Sequence, residues 1–269
     1  MIHKVTDKLV SFSFFSLTDF YDKVDNRTDN NYSKDNIELC SNNKHVDFFG
    51  ASYQEIMQRK YAWPEGVKKL KELTDMDRVI TKQWAKKWCE DDGDEMDMER
   101  YYNGMPFLQK RVQVLGTKSR NNRIQKIMIN LCEDAGITAN QMLWKTYTAV
   151  KIVDELESQG IRCEIVLFEA SKNIDSSGRG LLIELPVKQA SEPINTSLLC
   201  SILSPWFLRY WLFLFEFTYI KNVNPGLGKA RKLSSSELDE NCIVIDSGTA
   251  LSKRAANDFL KGIERGTMK

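Results

Sequence analysis

The sequence predicts an α/β fold: a central, mostly parallel sheet flanked by helices, with a mainly helical N-terminal part. Three observations carry this. Residues 124–131 (IQKIMINL) and 161–169 (IRCEIVLFE) are apolar runs of strand length. Between them, residues 139–159 repeat Met142, Thr146, Val150, Val153 and Leu156 at three- or four-residue intervals, the stripe of one helix face. Thr138 stands where an N-cap belongs, and Gly160 where a chain leaves a helix with positive φ. Two strands joined by such a helix form a βαβ unit, because parallel neighbours need a crossover.

The other elements follow in order. Residues 9–15 alternate weakly and predict a strand; Ser16 or Thr18 then caps a short helix to about Val24. Residues 25–44 are rich in Asn, Asp and Ser and predict a long mobile loop, which runs on to residue 47. Ser52 and Glu55 form a capping box that opens a helix to about Ala62. Trp63-Pro64-Glu65-Gly66 predicts a turn. Residues 67–91 predict a helix with Leu70, Leu73, Trp84 and Trp88 among its apolar positions, followed by a solvated acidic linker. Residues 97–103 predict one or two helical turns, ended by Gly104 and Pro106. Residues 107–116 predict a strand that the turn at 116–122 lets pair with 124–131 as a hairpin.

Beyond the central unit, the polar turn 172–180 and the apolar run 181–187 predict a second hairpin. Residues 198–220 predict two core helices, with Ser204 capping the second and Pro205 at its first position. Residues 222–239 predict a second mobile loop, 242–246 (CIVID) a short buried strand, and Ser252 the start of a final amphipathic helix. The chain divides into an N-terminal helical elaboration, residues 1–104, and an α/β core, residues 105–269.

Lys and Arg number 38 and Asp and Glu 37, so global charge selects no partner. Six cysteines without a CxxC pair, and two histidines, argue against a zinc site and for reduced core thiols. No cofactor is expected. Residues 198–220 have the length of a membrane span, but Pro205, Arg209 and Glu216 interrupt it; a central charge costs about 2.5–3.5 kcal/mol. No signal peptide is read at the N-terminus, and a cytoplasmic location without membrane contact is expected.

From residue 123 to 269 the order strand, helix, hairpin, helices, strand, helix resembles a von Willebrand A-type domain. Three further stretches are similar to a phage-encoded family of unknown function with a degenerate core of that type. They are residues 53–73 with Tyr61-Ala62-Trp63-Pro64-Glu65-Gly66, residues 102–106 (YNGMP), and residues 204–216. The resemblance implies a host-cytoplasm setting and a divalent-ion loop after the first strand. The matching place reads Asp134-Ala135-Gly136-Ile137-Thr138. Gly136 has no side-chain oxygen, which leaves Asp134, Thr138 and Asp246 for a metal; Glu133 and Asp134 can equally cap the helix that follows.

The sharpest local charge signal is an absence: no Asp or Glu occurs from Arg100 to Leu131. That window holds Arg100, Lys110, Arg111, Lys118, Arg120, Arg123 and Lys126, with Tyr101 and Tyr102 beside them. Cations along a backbone track with aromatics for unpaired bases are the requirements of single-strand binding. These nine residues are the candidate nucleic-acid site. The competing reading is a solvated hairpin balanced by the acidic run 90–99. Catalytic signals are weak: Ser234–Ser236 has no histidine partner and Gly226-Leu227-Gly228-Lys229 lacks phosphate-loop spacing. The expectation is a non-enzymatic protein that binds single-stranded DNA in phage transcription or replication, with a polymerase or other phage protein as a further partner. A protein-interaction adaptor of the A-domain type is the alternative.

Overall fold

The computed structural model describes residues 1–74, 84–89, 95–113, 124–224, 229–234, 237–238 and 242–264. Strands β1 (Ile2–Val5) and β2 (Leu9–Ser13) open the chain, and β2 turns Val10 and Phe12 into the core. Helix α1 (Leu17–Asp25) starts at Ser16, whose hydroxyl accepts from the Asp19 backbone N–H.

Helix α2 (Asn31–Ser41) occupies the stretch predicted as a loop. Asn30 and Ser33 form its capping box, and its buried residues are Ser33, Asn36 and Cys40. That stripe is polar, so hydrophobic periodicity is silent over it. Contacts far along the chain hold the helix: Asn30 donates to the Phe217 carbonyl, Asn36 Nδ2 donates to the Tyr210 carbonyl at 3.3 Å, and Ile37 and Cys40 pack into the core.

Helices α3 (Val46–Phe49), α4 (Tyr53–Gln58) and α5 (Pro64–Thr74) follow, and the Ser52–Glu55 box begins α4 as predicted. Trp63-Pro64-Glu65-Gly66 is the start of α5 rather than a free turn, with Pro64 at its first position. Trp63 is 1% exposed and meets Trp206 edge-on, ring centroids 4.8 Å apart. A Cβ at Gly66 would run into Trp63 Cε3 and Cδ2. Gly66→Ala therefore loses about 1–3 kcal/mol to overpacking, more than the roughly 1 kcal/mol of helix propensity it gains. A lowered melting temperature is expected; a raised one would refute this packing.

Next come β3 (Trp84–Cys89), β4 (Glu95–Met96), helix α6 (Met98–Tyr102) and β5 (Leu108–Gln113). Residues 84–89 were expected to continue a helix. Trp84 and Trp88 fit a helical stripe and a two-residue alternation equally, and pairing with β5 decides for the strand. β3, β5 and β4 form a small antiparallel sheet in the order β3-β5-β4.

The central unit is β6 (Ile124–Asn130), α7 (Ala139–Ser158) and β7 (Arg162–Lys172), with Thr138 and Gln141 as capping box and Gly160 at φ 78°. β8 (Gly180–Lys188) returns antiparallel to β7, the expected hairpin. Helix α8 (Thr196–Ile202) is followed by a π-helical segment (Phe207–Leu212) running into α9 (Phe213–Tyr219). Ser204 does not cap the second helix: its hydroxyl donates back to the Cys200 carbonyl. β9 (Lys229–Ala230) pairs with β7 inside the predicted second loop, and Arg231 holds Glu237 at 2.6 Å. β10 (Ile243–Ile245) and α10 (Lys253–Glu264), whose first turn bonds to Ser252 Oγ, complete the described chain.

Among the described residues the large sheet has seven strands, in the order β1-β2-β8-β7-β6-β10 with β9 beside β7. It is mixed rather than mostly parallel: β2–β8, β6–β7 and β6–β10 are parallel, while β1–β2, β7–β8 and β7–β9 are antiparallel. The first two strands join the sheet through β8, so the N-terminal part is not purely helical. The expected hairpin of residues 107–131 is absent, since β5 lies in the small sheet and β6 between β7 and β10. Among the described residues no single helix is long and apolar enough to cross a membrane; α8 and the 207–219 segment reach that composition only together, bent by 58°. Cys40, Cys163, Cys200 and Cys242 are buried thiols.

Candidate functional site

The predicted basic site falls into separate places. Arg100, Tyr101 and Tyr102 sit on α6, capped by Asp97. Tyr101 is 52% and Tyr102 78% exposed, with ring centroids 5.7 Å apart, and Tyr101 also meets Phe107 at 4.9 Å. Arg100 Nε donates to the Pro106 carbonyl at 2.9 Å, which closes the loop after the helix. Lys110 and Arg111 are in β5, opposite Lys87 and Lys86 of β3. Among the described residues, β4 pairs with β5 through Glu95 opposite Gln109 and Met96 opposite Leu108. Lys118, Arg120 and Arg123 lie outside the described residues. Lys126 belongs to the other sheet, in register with Glu164 of β7. Lys126 is therefore not on one hairpin with Lys110 and Arg111; strand pairing across the chain separates residues that the sequence places close.

Two consecutive rungs of β3–β5 thus set cation against cation, Lys86 with Arg111 and Lys87 with Lys110. Lys86 and Lys87 had been placed on a helix, where they had no relation to Lys110 and Arg111.

A second candidate lies at the carboxyl ends of β6 and β7. A cavity of about 840 Å³ opens there between α2, α3, the π-helical segment and α9. Tyr32, Leu39, Phe48, Phe213 and Phe217 supply apolar walls, and Cys132, Glu133, Asp134 and Glu169 supply polar lining. Glu169 and Glu216 are both buried, and their carboxyl groups face each other. Among the described residues no base neutralises them: Glu169 Oε2 and both oxygens of Glu216 have no donor partner. Burial raises Glu169 to about 7 and lifts Glu216 well above the carboxylate range, where the charge of Glu169 holds it further. The pair therefore keeps a shared proton at neutral pH. Burial and these carboxylates also push the Cys132 thiol far up, which makes it a poor nucleophile.

Arg209 is 2% exposed and gives its guanidinium to three carbonyls, those of Phe48, Asp134 and Ile137. It ties α3 to the turn after β6. Glu133 does not cap α7. It makes a buried ion pair with Lys145 and accepts from Gly248 N at 3.0 Å, while Lys145 also donates to the Asn130 carbonyl at 2.8 Å. Asp134, Thr138 and Asp246 do not gather around an ion. The Thr138 hydroxyl accepts from Gln141 N and donates to Gln141 Oε1, and Asp246 accepts from Asn130 Nδ2 at 2.8 Å. Among the described residues no cluster of three His, Cys, Asp or Glu has a metal-holding arrangement.

Residues 3–268 match the model of a domain of unknown function, DUF7192. The chain belongs to this family. No curated protein and no solved structure matches it. The DUF7192 chain thus has to be read from its own geometry. Sequence reasoning flagged Arg209 and Glu216 as charges in an apolar stretch but missed Glu169. The same signal marks it: Glu169 follows the apolar run Ile165–Phe168 in a strand buried on both sides. The Glu133–Lys145 pair carries no such mark, since its partners are 12 residues apart across a turn.

Proposed function

We propose that this chain is a non-enzymatic nucleic-acid-binding protein that prefers single strands and acts as an accessory factor in phage transcription or replication. The observation that carries the reading is the β3–β5 register, which sets Lys86 opposite Arg111 and Lys87 opposite Lys110, one cationic pair for each face of the small sheet. A phosphate strand that crosses either face meets one of these pairs and releases counterions there. The exposed neighbours Tyr101 and Tyr102 offer rings on which unpaired bases stack. The phage setting rests on the three sequence stretches alone. A polymerase is the partner such a factor would meet.

The finer reading of the core as von Willebrand A-like is supported by the run β8-β7-β6-β10, in which an antiparallel hairpin strand precedes three parallel ones. The metal loop of that family is not part of this proposal.

The test is fluorescence anisotropy of a labelled single-stranded DNA oligomer and its duplex at two salt concentrations. The single strand should bind more tightly, with strong salt sensitivity. Lys110→Glu with Arg111→Glu should weaken binding at least about tenfold and lower the salt slope by about 0.7 per lost phosphate contact. Tyr102→Ala should cost about 1–3 kcal/mol if its ring carries one base. Unchanged affinity and slope in the charge-reversed variant would sink the assignment.

A further inference from the structure

The cavity beside β6 and β7 is separate from the basic sheet, and nothing in the nucleic-acid reading uses it. Its volume of about 840 Å³ falls in the range of small-molecule sites, roughly 300–1,000 Å³. Its mouth is unusual for a solvent-facing surface. Tyr32, Leu39 and Phe48 line it and are 47%, 45% and 38% exposed, three large apolar side chains not covered by the fold. Tyr32 stacks on Phe217, ring centroids 5.9 Å apart, so the wall is partly pre-formed. Within this apolar lining sits Glu169, 1% exposed, facing only Glu216 and with one oxygen lacking any donor. Buried carboxyls ordinarily have hydrogen-bond donors or a counter-charge. Here the fold supplies no counter-charge among the described residues, and the one donor is the proton shared with Glu216.

We propose that this pocket binds a small molecule with a flat apolar body and a cationic, hydrogen-bond-donating nitrogen group, an amine or amidine, which docks on Glu169. The flat body replaces water on the aromatic walls; the Phe48 ring already carries the Arg209 guanidinium, 5.3 Å from its centroid, so Tyr32 is the mouth ring that faces a ligand cation. The nitrogen group supplies the donors and the charge that Glu169 lacks. An anion is the less suitable occupant. Of the basic residues in the lining, Arg209 already donates to three backbone carbonyls, and His45 and Lys229 are exposed, where water and salt screen them. Asp35 and Asp134 add acid to the lining.

Three isosteric probes separate the outcomes: 2-naphthamidine, 2-naphthamide and 2-naphthoate, titrated calorimetrically into the full chain. The amidine should bind at least about tenfold more tightly than the amide, as a charge-assisted bond exceeds a neutral one, and the naphthoate should be weakest. Glu169→Gln should bring the amidine down to the level of the amide and leave the amide unchanged. Tyr32→Ala, an exposed change that leaves the core intact, should weaken amidine and amide alike, and it keeps the test decisive if the Glu169 variant fails to fold. Equal binding of all three probes would reduce the site to an apolar pocket and overturn the role of Glu169. Preference for the naphthoate would reassign the pocket to anions. No saturation by any probe near 1 mM, about −4 kcal/mol of binding, would overturn the site itself.

Discussion

Lys145→Met should lower the unfolding free energy by about 3–5 kcal/mol, the cost of leaving one buried charge without its partner. The side chains of Lys145 and Glu133 are 0% and 5% exposed, and their contact joins the middle of α7 to the end of β6. Glu133 also receives the Gly248 backbone N–H, so the pair reaches across to the turn after β10. Removing the ammonium leaves a carboxylate that is 5% exposed with the Gly248 N–H but no counter-charge. It also frees the Asn130 carbonyl, to which Lys145 donates. Adding Glu133→Gln to Lys145→Met should recover most of the loss, because the stranded charge is then gone. Urea denaturation of wild type, single and double variants checks both statements. A loss below about 1 kcal/mol in the single variant would mean that the pair is solvated and contributes as surface pairs do.

The second large effect is on pH dependence. The Glu169–Glu216 pair should make the protein less stable as pH rises from about 4.5 to 7. An unfolded glutamate releases its proton near 4.5, whereas Glu169 holds its proton to about 7 and burial lifts Glu216 well above the usual carboxylate range. Across this window the unfolded chain binds fewer protons than the folded one, so stability falls with rising pH. The contribution of Glu169 alone is on the order of 3 kcal/mol. Carboxylates held low, Asp19, Glu55, Asp175 and Glu237, act with the opposite sign, but their contribution is lost only as pH falls below the usual carboxylate range. The two windows therefore do not overlap. Denaturation at pH 5 and 7.5 should show the fall in wild type and its absence in the Glu169→Gln/Glu216→Gln variant. A flat wild-type profile would show that the pair finds solvent or a counter-charge.

Both effects come from charges inside the fold, and they differ in how much the sequence reveals of them. Glu216 and Arg209 break an apolar stretch and mark themselves, and Glu169 breaks another. That the two glutamates meet follows only from packing of α9 over β7, 47 positions apart in a chain where either could have turned to solvent. Arg209 attracted attention as a charge in search of a partner, and its partners proved to be three backbone carbonyls that no side-chain pattern encodes.

The basic site shows the same division. The acid-free window from Arg100 to Leu131 is a property of the sequence, and it correctly drew attention to Lys110 and Arg111. Its expected geometry was a hairpin with residues 124–131. Strand β6 instead found β7 and β10, where its apolar face is buried on both sides, and β5 was left to pair with β3 and β4. The cationic rungs with Lys86 and Lys87 arise from that exchange of partners.

What the sequence determined by itself was local. The caps at Ser16, Ser52, Thr138 and Ser252, the positive φ at Gly160, the βαβ unit around α7 and the β7–β8 hairpin follow from residues within a few positions of one another. Turn chemistry, capping and apolar periodicity act at that range. The tertiary structure alone decided helix α2, the strand identity of residues 84–89, the mixed character of the sheet, and the two buried charge pairs. In each of these the deciding contact lies at least 12 residues away, beyond the reach of turn chemistry, capping and apolar periodicity.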